Sequence, residues 1–329
     1  MTGAPEFDDA VAGCLLGGAV GDALGAIVEF DSIDEIRRRH GPDGLAGFPS
    51  GGGGITDDTQ MTLFTAEALI RAFRRFGARR LRYALDELWD AYRRWLDTQG
   101  EGPAGTGGGL IEEPALRHRR APGNTCLSAL RGDAPGFVDL PVNNSKGCGG
   151  VMRVAPVGLV AARPCAIGMA SAALTHGHPS GYLASGAGAV IISCLRDGQP
   201  LRPAVDEAVA GVSEWEGHEE TVAALRQAVD LADREPVPTP EAVASLGEGW
   251  VAEEALAIAV YCALAGESFE AALLAAANHS GDSDSTAAIT GNLLGAAGGR
   301  AVVPDDWVEA LAERAVVERV AAEFAAAFA

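Results

Sequence analysis

An all-α fold is predicted for this chain of 329 residues by three observations. Apolar residues recur at i, i+3, i+4 and i+7 through most of its length, regular alternation of period two is scarce, and β-branched runs are short. The first element is Asp8–Val28, an apolar stretch whose Gly17, Gly18, Gly21 and Gly25 are spaced to let another helix approach closely. Gln60–Phe76 follows, with Leu63, Phe64, Leu69, Ile70 and Phe73 on one face and arginines toward its C-terminal end, where cations suit the helix dipole. Leu81–Leu96 carries Leu85, Leu88, Trp89, Tyr92 and Trp95, an aromatic stripe that core packing explains. Helices over Gly168–Leu174, Ser180–Leu195, Glu219–Ala232, Trp250–Ala265, Ser268–Ala277, Thr286–Ala297 and Trp307–Phe328 complete the set. Between them Gly41–Gly54, Gly100–Gly109, Gly132–Gly150 and Glu235–Pro240 read as loops. None divides segments of different composition, and no long period repeats, so residues 1–329 read as a single domain.

Composition narrows the function classes. A chain 48% hydrophobic and 21% charged buries a core without staples. Its net charge of −20 repels nucleic acid and anionic membrane, so neither is an expected partner. The six cysteines form no C-x-x-C pair and sit mostly among apolar neighbours, which points to a reducing cytoplasm without a disulfide framework. The N-terminal residues lack the basic region of a signal peptide. Of the two apolar runs that invite a membrane reading, Val11–Val28 has Asp22 at its middle and Ser180–Leu195 is short and rich in Gly and Ser. Lys146 is the sole lysine.

Two polar knots stand out. In "GGGGITDDTQMTLF", Thr56, Asp57 and Asp58 are consecutive ahead of an apolar helix; in "HSGDSDSTAAI", Asp282, Asp284 and Ser285 stand in the same relation to another. Each would serve as a helix cap, but capping needs a single acceptor and each knot offers two carboxylates and a hydroxyl. "DSDST" also fits the D-x-D-x-T pattern of haloacid-dehalogenase-like phosphatases, whose first aspartate attacks phosphorus. That motif needs an apolar strand before it and a long α/β domain with a lysine after it. Here "AANHSG" precedes, little chain follows, and Lys146 lies upstream. An EF-hand fails as well, since its glycine and glutamate positions are Ala287 and Leu293. Taken together, the knots form an oxygen-only donor set suited to Mg²⁺ or Mn²⁺, and two such ions about 3.5–4 Å apart would offset the repulsion of four carboxylates. Two independent caps remain the alternative.

Five segments, "GGAVGDALGAIVEF", "ITDDTQMTLF", "NNSKGCGGVMRVAPVGL", "LTHGHPSGY" and "NHSGDSDSTAAITGNLLGA", occur in an order that resembles the successive motifs of the ADP-ribosylglycohydrolase family. That family includes dinitrogenase reductase-activating glycohydrolases and ADP-ribosylarginine and ADP-ribosylserine hydrolases. The resemblance implies a compact, orthogonal all-α helical bundle with a dinuclear Mg²⁺ centre (Mn²⁺ being the other candidate) that removes ADP-ribose from a modified group. It implies metal ligation by Thr56, Asp57, Asp58, Asp282, Asp284 and Ser285, the last standing where many members have threonine. Glu29 matches the acidic residue over the reactive ribose. Asn144, Ser145, Lys146, Gly147, Cys148, Gly149 and Gly150, followed by Met152, match the segment that wraps ribose and diphosphate, with Cys148 in place of the usual asparagine. His176 and His178 are expected to border the same ligand. Independently, Gly147, Gly149 and Gly150 let backbone N–H groups approach an anion, to which Lys146 would add charge. Asp22 reads equally as a group behind the metal site or as a satisfied core residue. Reversal of ADP-ribosylation by a monomer, with arginine the favoured acceptor, is the leading expectation; a protein that blocks a toxin transferase is the second.

Overall fold

Helices dominate because most segments supply an apolar face and few supply the alternation a sheet needs. The computed structural model describes residues 4–77, 84–102 and 108–329. Among these, 16 α-helices account for the regular structure and β pairing is limited to isolated bridges. In chain order they are α1 (Phe7–Gly25), α2 (Ile33–His40), α3 (Asp57–Phe76), α4 (Ala84–Thr98), α5 (Asn124–Leu130), α6 (Ala155–Val160), α7 (Pro164–Ala173) and α8 (Pro179–Arg196). Then come α9 (Leu201–Val212), α10 (Glu219–Arg234), α11 (Pro240–Ala244), α12 (Ala252–Ala265), α13 (Phe269–Ala277), α14 (Ser283–Gly298), α15 (Asp305–Glu309) and α16 (Arg314–Phe328). No described helix is long and apolar enough to cross a membrane.

The glycines of α1 organise the centre. A Cβ at Gly17 would stand 2.4 Å from the Gly291 carbonyl oxygen, one at Gly21 2.1 Å from that of Ala287, and one at Gly25 2.2 Å from that of Ser283. Side chains larger than hydrogen are thus excluded along the seam, and α1 and α14 run antiparallel with their backbones in contact. The end of α1, and Glu29 beyond it, is thereby brought to the start of α14, where Asp282, Asp284 and Ser285 lie. Helix α3 is held by α4: Trp95, Tyr92, Phe64 and Met61 are fully buried, and the Trp95 indole and Gln99 amide both donate to Gln60 Oε1, at 3.0 and 2.9 Å.

The structure departs from the sequence-based expectation in instructive places. The helix expected over Trp307–Phe328 is two, α15 and α16. The break lets residues 310–312 pair with Gly53, whose N–H donates to the Ala310 carbonyl and whose carbonyl accepts from Ala312 N–H. It also turns the Glu313 carboxylate onto Ile55 N–H (3.1 Å) and Arg120 (2.9 Å). Helices α3 and α14 begin earlier than expected, so Asp57, Asp58 and Asp284 lie within the first helical turn instead of ahead of it, while Asp282 is the N-cap of α14. Helix α2, opened by a Ser32/Glu35 capping box, and α9 fall where no helix was expected. Leu81 of the helix expected over Leu81–Leu96, and part of the Gly100–Gly109 loop, lie outside the described residues.

Candidate metal and substrate site

The first knot is built at the start of α3. Thr56 is the N-cap, accepting from Asp58 N–H at 3.3 Å. Asp22 from α1 completes the cap: it accepts from Thr56 N–H (3.0 Å), Thr56 Oγ1–H (2.7 Å) and Thr59 N–H (3.0 Å). Fully buried Asp22 is thus satisfied by its donors and ties α1 to the first knot. Asp57 is turned toward the cavity by Gly123 N–H at 3.1 Å, and Asp58 Oδ2 is buried without a hydrogen-bond partner among the described residues.

The second knot starts from a turn, not a strand, which removes the geometry a phosphatase nucleophile needs. Gly281 has φ +152°, and a Cβ there would lie 2.0 Å from the Glu248 carbonyl oxygen, so only glycine fits. That carbonyl accepts from Asp282 N–H at 2.8 Å, and Thr286 ties the turn together through Ala276 O (2.7 Å) and His279 Nε2 (3.0 Å). Asp282 and Asp284 each point a carboxylate oxygen to within 4.8 Å of one on Glu29, a group that could hold a metal ion. All three line one cavity of about 450 Å³ with Asp57, Asp58 and Ser285. The two knots, far apart in sequence, converge.

Electrostatics follow from crowding. Burial, and after it the charges of Asp284, Asp57 and Asp22, push the Glu29 carboxyl up to about 9. Burial followed by Asp284 likewise holds Asp57, Asp58 and Asp282 well above the usual carboxylate range. Asp22 rises to about 7 from burial and Asp284, opposed by its bonds to Thr59 and Thr56. So many desolvated carboxyls cannot all ionise unaided. An orphaned Asp58 oxygen and a donor set of carboxylates and hydroxyls fit a hard divalent cation.

The remaining walls are two loops and an aromatic mouth. Gly147, Cys148, Gly149, Met152 and His176 line the cavity. Cys148 Sγ lies 2.8 Å from Asp282 Oδ2 and 3.6 Å from Ser285 Oγ, so the replacement for asparagine touches the acidic cluster itself. Backbone bonds from Cys148 N–H to Trp250 O (3.2 Å) and from Ala252 N–H to Lys146 O (2.8 Å) clamp this loop to α12. Other expected site residues face elsewhere. Thr56, Asn144, Ser145, Lys146, Gly150 and His178 do not line the cavity. Asn144 is exposed, Ser145 bonds Thr125 Oγ1 at 2.9 Å, and His178 caps α8 through Ser180 N–H at 3.1 Å. Lys146 pairs with Glu253 and Glu220.

Sequence reasoning missed residues 121–125, where Ala121 is the single described non-glycine residue with positive φ (47°); the Ala-Pro-Gly-Asn turn signal was there to find it. It also missed Phe30 and Trp250, which stack at the mouth with centroids 6.2 Å apart and planes 17° from parallel. Their exposure, 75% and 39%, is unusual for such residues.

Comparison with known proteins agrees with this geometry. The model of the family described as ADP-ribosylglycohydrolase matches residues 3–329. An uncharacterized protein of Archaeoglobus fulgidus is 31% identical over 324 residues, 94% of this chain and 93% of its own length. The ADP-ribosyl-[dinitrogen reductase] glycohydrolase of Rhodospirillum rubrum is 27% identical, covering 94% of this chain and 92% of that one. The human ADP-ribosylhydrolase ARH3 is 24% identical over 90% and 87% respectively. A solved structure described as an ADP-ribosylglycohydrolase-related protein complex superposes with a TM-score of 0.62 and 26% identity, covering 98% of this chain and 99% of that one. With an all-α scaffold, a convergent acidic cavity and a family match over nearly its whole length, the chain belongs to the ADP-ribosylglycohydrolase family and is a hydrolase of ADP-ribose linkages.

Proposed function

We propose that the protein is a divalent-cation-dependent hydrolase that cleaves the N-glycosidic bond between ADP-ribose and arginine. The observation that carries this reading is the meeting of Glu29 with Asp57, Asp58, Asp282, Asp284 and Ser285 in one cavity that the glycine loop at 147–149 also lines. When bound, two Mg²⁺ ions held by Asp57, Asp58, Asp282, Asp284 and Ser285 would supply Lewis-acid charge for orienting the ribose diol and a water. The chain's own groups do the rest. Gly123 N–H and Asp22 hold the first knot rigid, and the glycines at 147 and 149 leave room along the cavity wall for the diphosphate. Glu29 moves the proton: the bond from the anomeric carbon to nitrogen breaks through an oxocarbenium-like state, water oxygen bonds to that carbon, and the leaving nitrogen ends protonated. The stacked Phe30–Trp250 pair favours arginine over serine, because a flat, delocalised guanidinium packs on aromatic faces and a hydroxyl does not.

Incubation with Mg²⁺ or Mn²⁺ and ADP-ribosylated arginine, serine and nucleobase, with free ADP-ribose as readout, tests the reading. Release from arginine and its loss in Glu29→Gln, which should still bind ADP-ribose, are expected. Full activity of Asp57→Ala or Asp284→Ala would overturn the metal assignment.

A further inference from the structure

Arg153 is completely buried and, among the described residues, forms no ion pair. Its guanidinium instead reaches Thr175 Oγ1 (2.7 Å), Ser171 O (3.3 Å) and Cys126 Sγ (3.4 Å), and lies 4.1 Å from the Tyr92 ring centroid. Its Nε has no partner. A buried cation without a counter-charge is costly and asks for an anion nearby. Cys126 and His176, the residues around it on the other side, both line the cavity, so the charge stands one side chain behind the wall.

The hydroxyl of Thr175 decides the state of that wall. Its oxygen accepts from Arg153, so its one proton must go elsewhere. The candidates are His176 Nδ1 at 2.8 Å and the Ala172 carbonyl at 3.4 Å; a hydroxyl donates a much stronger bond at the shorter distance, which favours Nδ1 as its acceptor. Nδ1 is then the acceptor and the ring proton sits on Nε2. That nitrogen has no hydrogen-bond partner among the described residues and lies beside the glycine loop: Cβ atoms built on Gly147 and Gly149 would be 3.4 and 3.2 Å from it. We propose that Arg153, acting through Thr175, fixes His176 as the neutral Nε2–H tautomer, so that the imidazole donates to an anionic oxygen of the ligand at the Gly147–Gly149 wall with the Arg153 charge behind it. Burial, and then Arg153 itself, push the imidazole down to about 3, which keeps the ring neutral. Arg153 is a positioning residue; His176 is the group that touches ligand. The positive end of the site is thus supplied from beneath the wall and not by Lys146.

The identity of the ligand as ADP-ribose rests on the function proposed above; the tautomer does not. Long-range ¹⁵N–¹H spectra of the free, full-length protein read it directly: His176 Nδ1 should appear as an unprotonated nitrogen and Nε2 as a protonated one. Thr175→Val, nearly isosteric, should abolish that preference and weaken ADP-ribose binding by about tenfold, the loss of one hydrogen bond to an anion. Thr175→Ser should restore both, and melting curves confirm that the variants fold. A proton on Nδ1 in the unaltered protein, or Thr175→Val with unchanged spectra or undiminished ADP-ribose affinity, would overturn the inference. Failure of the hydrolase reading would leave the tautomer result standing.

Discussion

Loading the metal-free protein with Mg²⁺ or Mn²⁺ should expel protons, and the amount follows from how the carboxyls are packed. Glu29 has its carboxyl raised to about 9 by burial and by its acidic neighbours. Such a group is about 99% protonated at pH 7, so its ionisation on cation binding alone releases about one proton per molecule. Asp57, Asp58 and Asp282, raised for the same reasons, add to this as they ionise. Stability carries the same signature. A carboxyl raised from 4.5 in the unfolded chain to about 9 in the folded one contributes stability that is complete below the lower value. That contribution is lost as pH rises through the upper one. Metal-free protein should therefore weaken between about pH 4.5 and 9, and a cation, by replacing the protons, should reverse the trend. At 100 times its dissociation constant a bound cation adds about 2.7 kcal/mol. With an unfolding entropy of ~2.1 cal/mol/K per residue, that raises the melting temperature by roughly 4 °C. Calorimetric titration in buffers of different ionisation enthalpy counts the protons, and melting curves with and without cation at several pH values measure the rest. Cation binding with no proton release between pH 6 and 8 would refute the reasoning, as would a metal-free melting temperature that rises from pH 5 to 9.

Three further outcomes are expected. Gly21→Ala places a methyl 2.1 Å from the Ala287 carbonyl, and chemical denaturation should show a loss of about 3 kcal/mol, with weaker cation binding although no ligand is altered. Asp22→Asn keeps one acceptor oxygen for three donors, so it should cost about 2 kcal/mol and lower cation affinity, measured by titration, without removing a cavity residue. Lys146→Met should change ADP-ribose affinity less than about fivefold, the equivalent of the ~1 kcal/mol at most that a partly exposed charge contributes, since the ammonium is engaged by Glu220 and Glu253; calorimetry decides.

Much of the site was legible because its chemistry is concentrated in short segments. Thr56–Asp58 and Asp282–Ser285 advertise themselves by excess acceptors at helix starts, and the glycines of α1 by their spacing. What was hidden depends on long-range partners. Nothing local to Lys146 says that Glu253 from α12 will claim it, and nothing local to Asn144 or His178 turns them from the cavity. The break between α15 and α16 was likewise invisible, because Ala310–Glu313 is a reasonable helical sequence and the turn there shows only through its pairing with distant Gly53. Phe30 and Trp250 read as ordinary hydrophobics until their exposure at the mouth is seen.

The glycine seam between α1 and α14 also dictates when the acidic cavity comes into being. Its carboxylates come from segments more than 200 residues apart in sequence, and α1 and α14 are adjacent only once α14 has been made. During synthesis the first knot must wait, its carboxylates unable to gather a complete donor set, until nearly all the rest of the protein has emerged. A chain whose synthesis has not yet reached α14 is therefore expected to be inert.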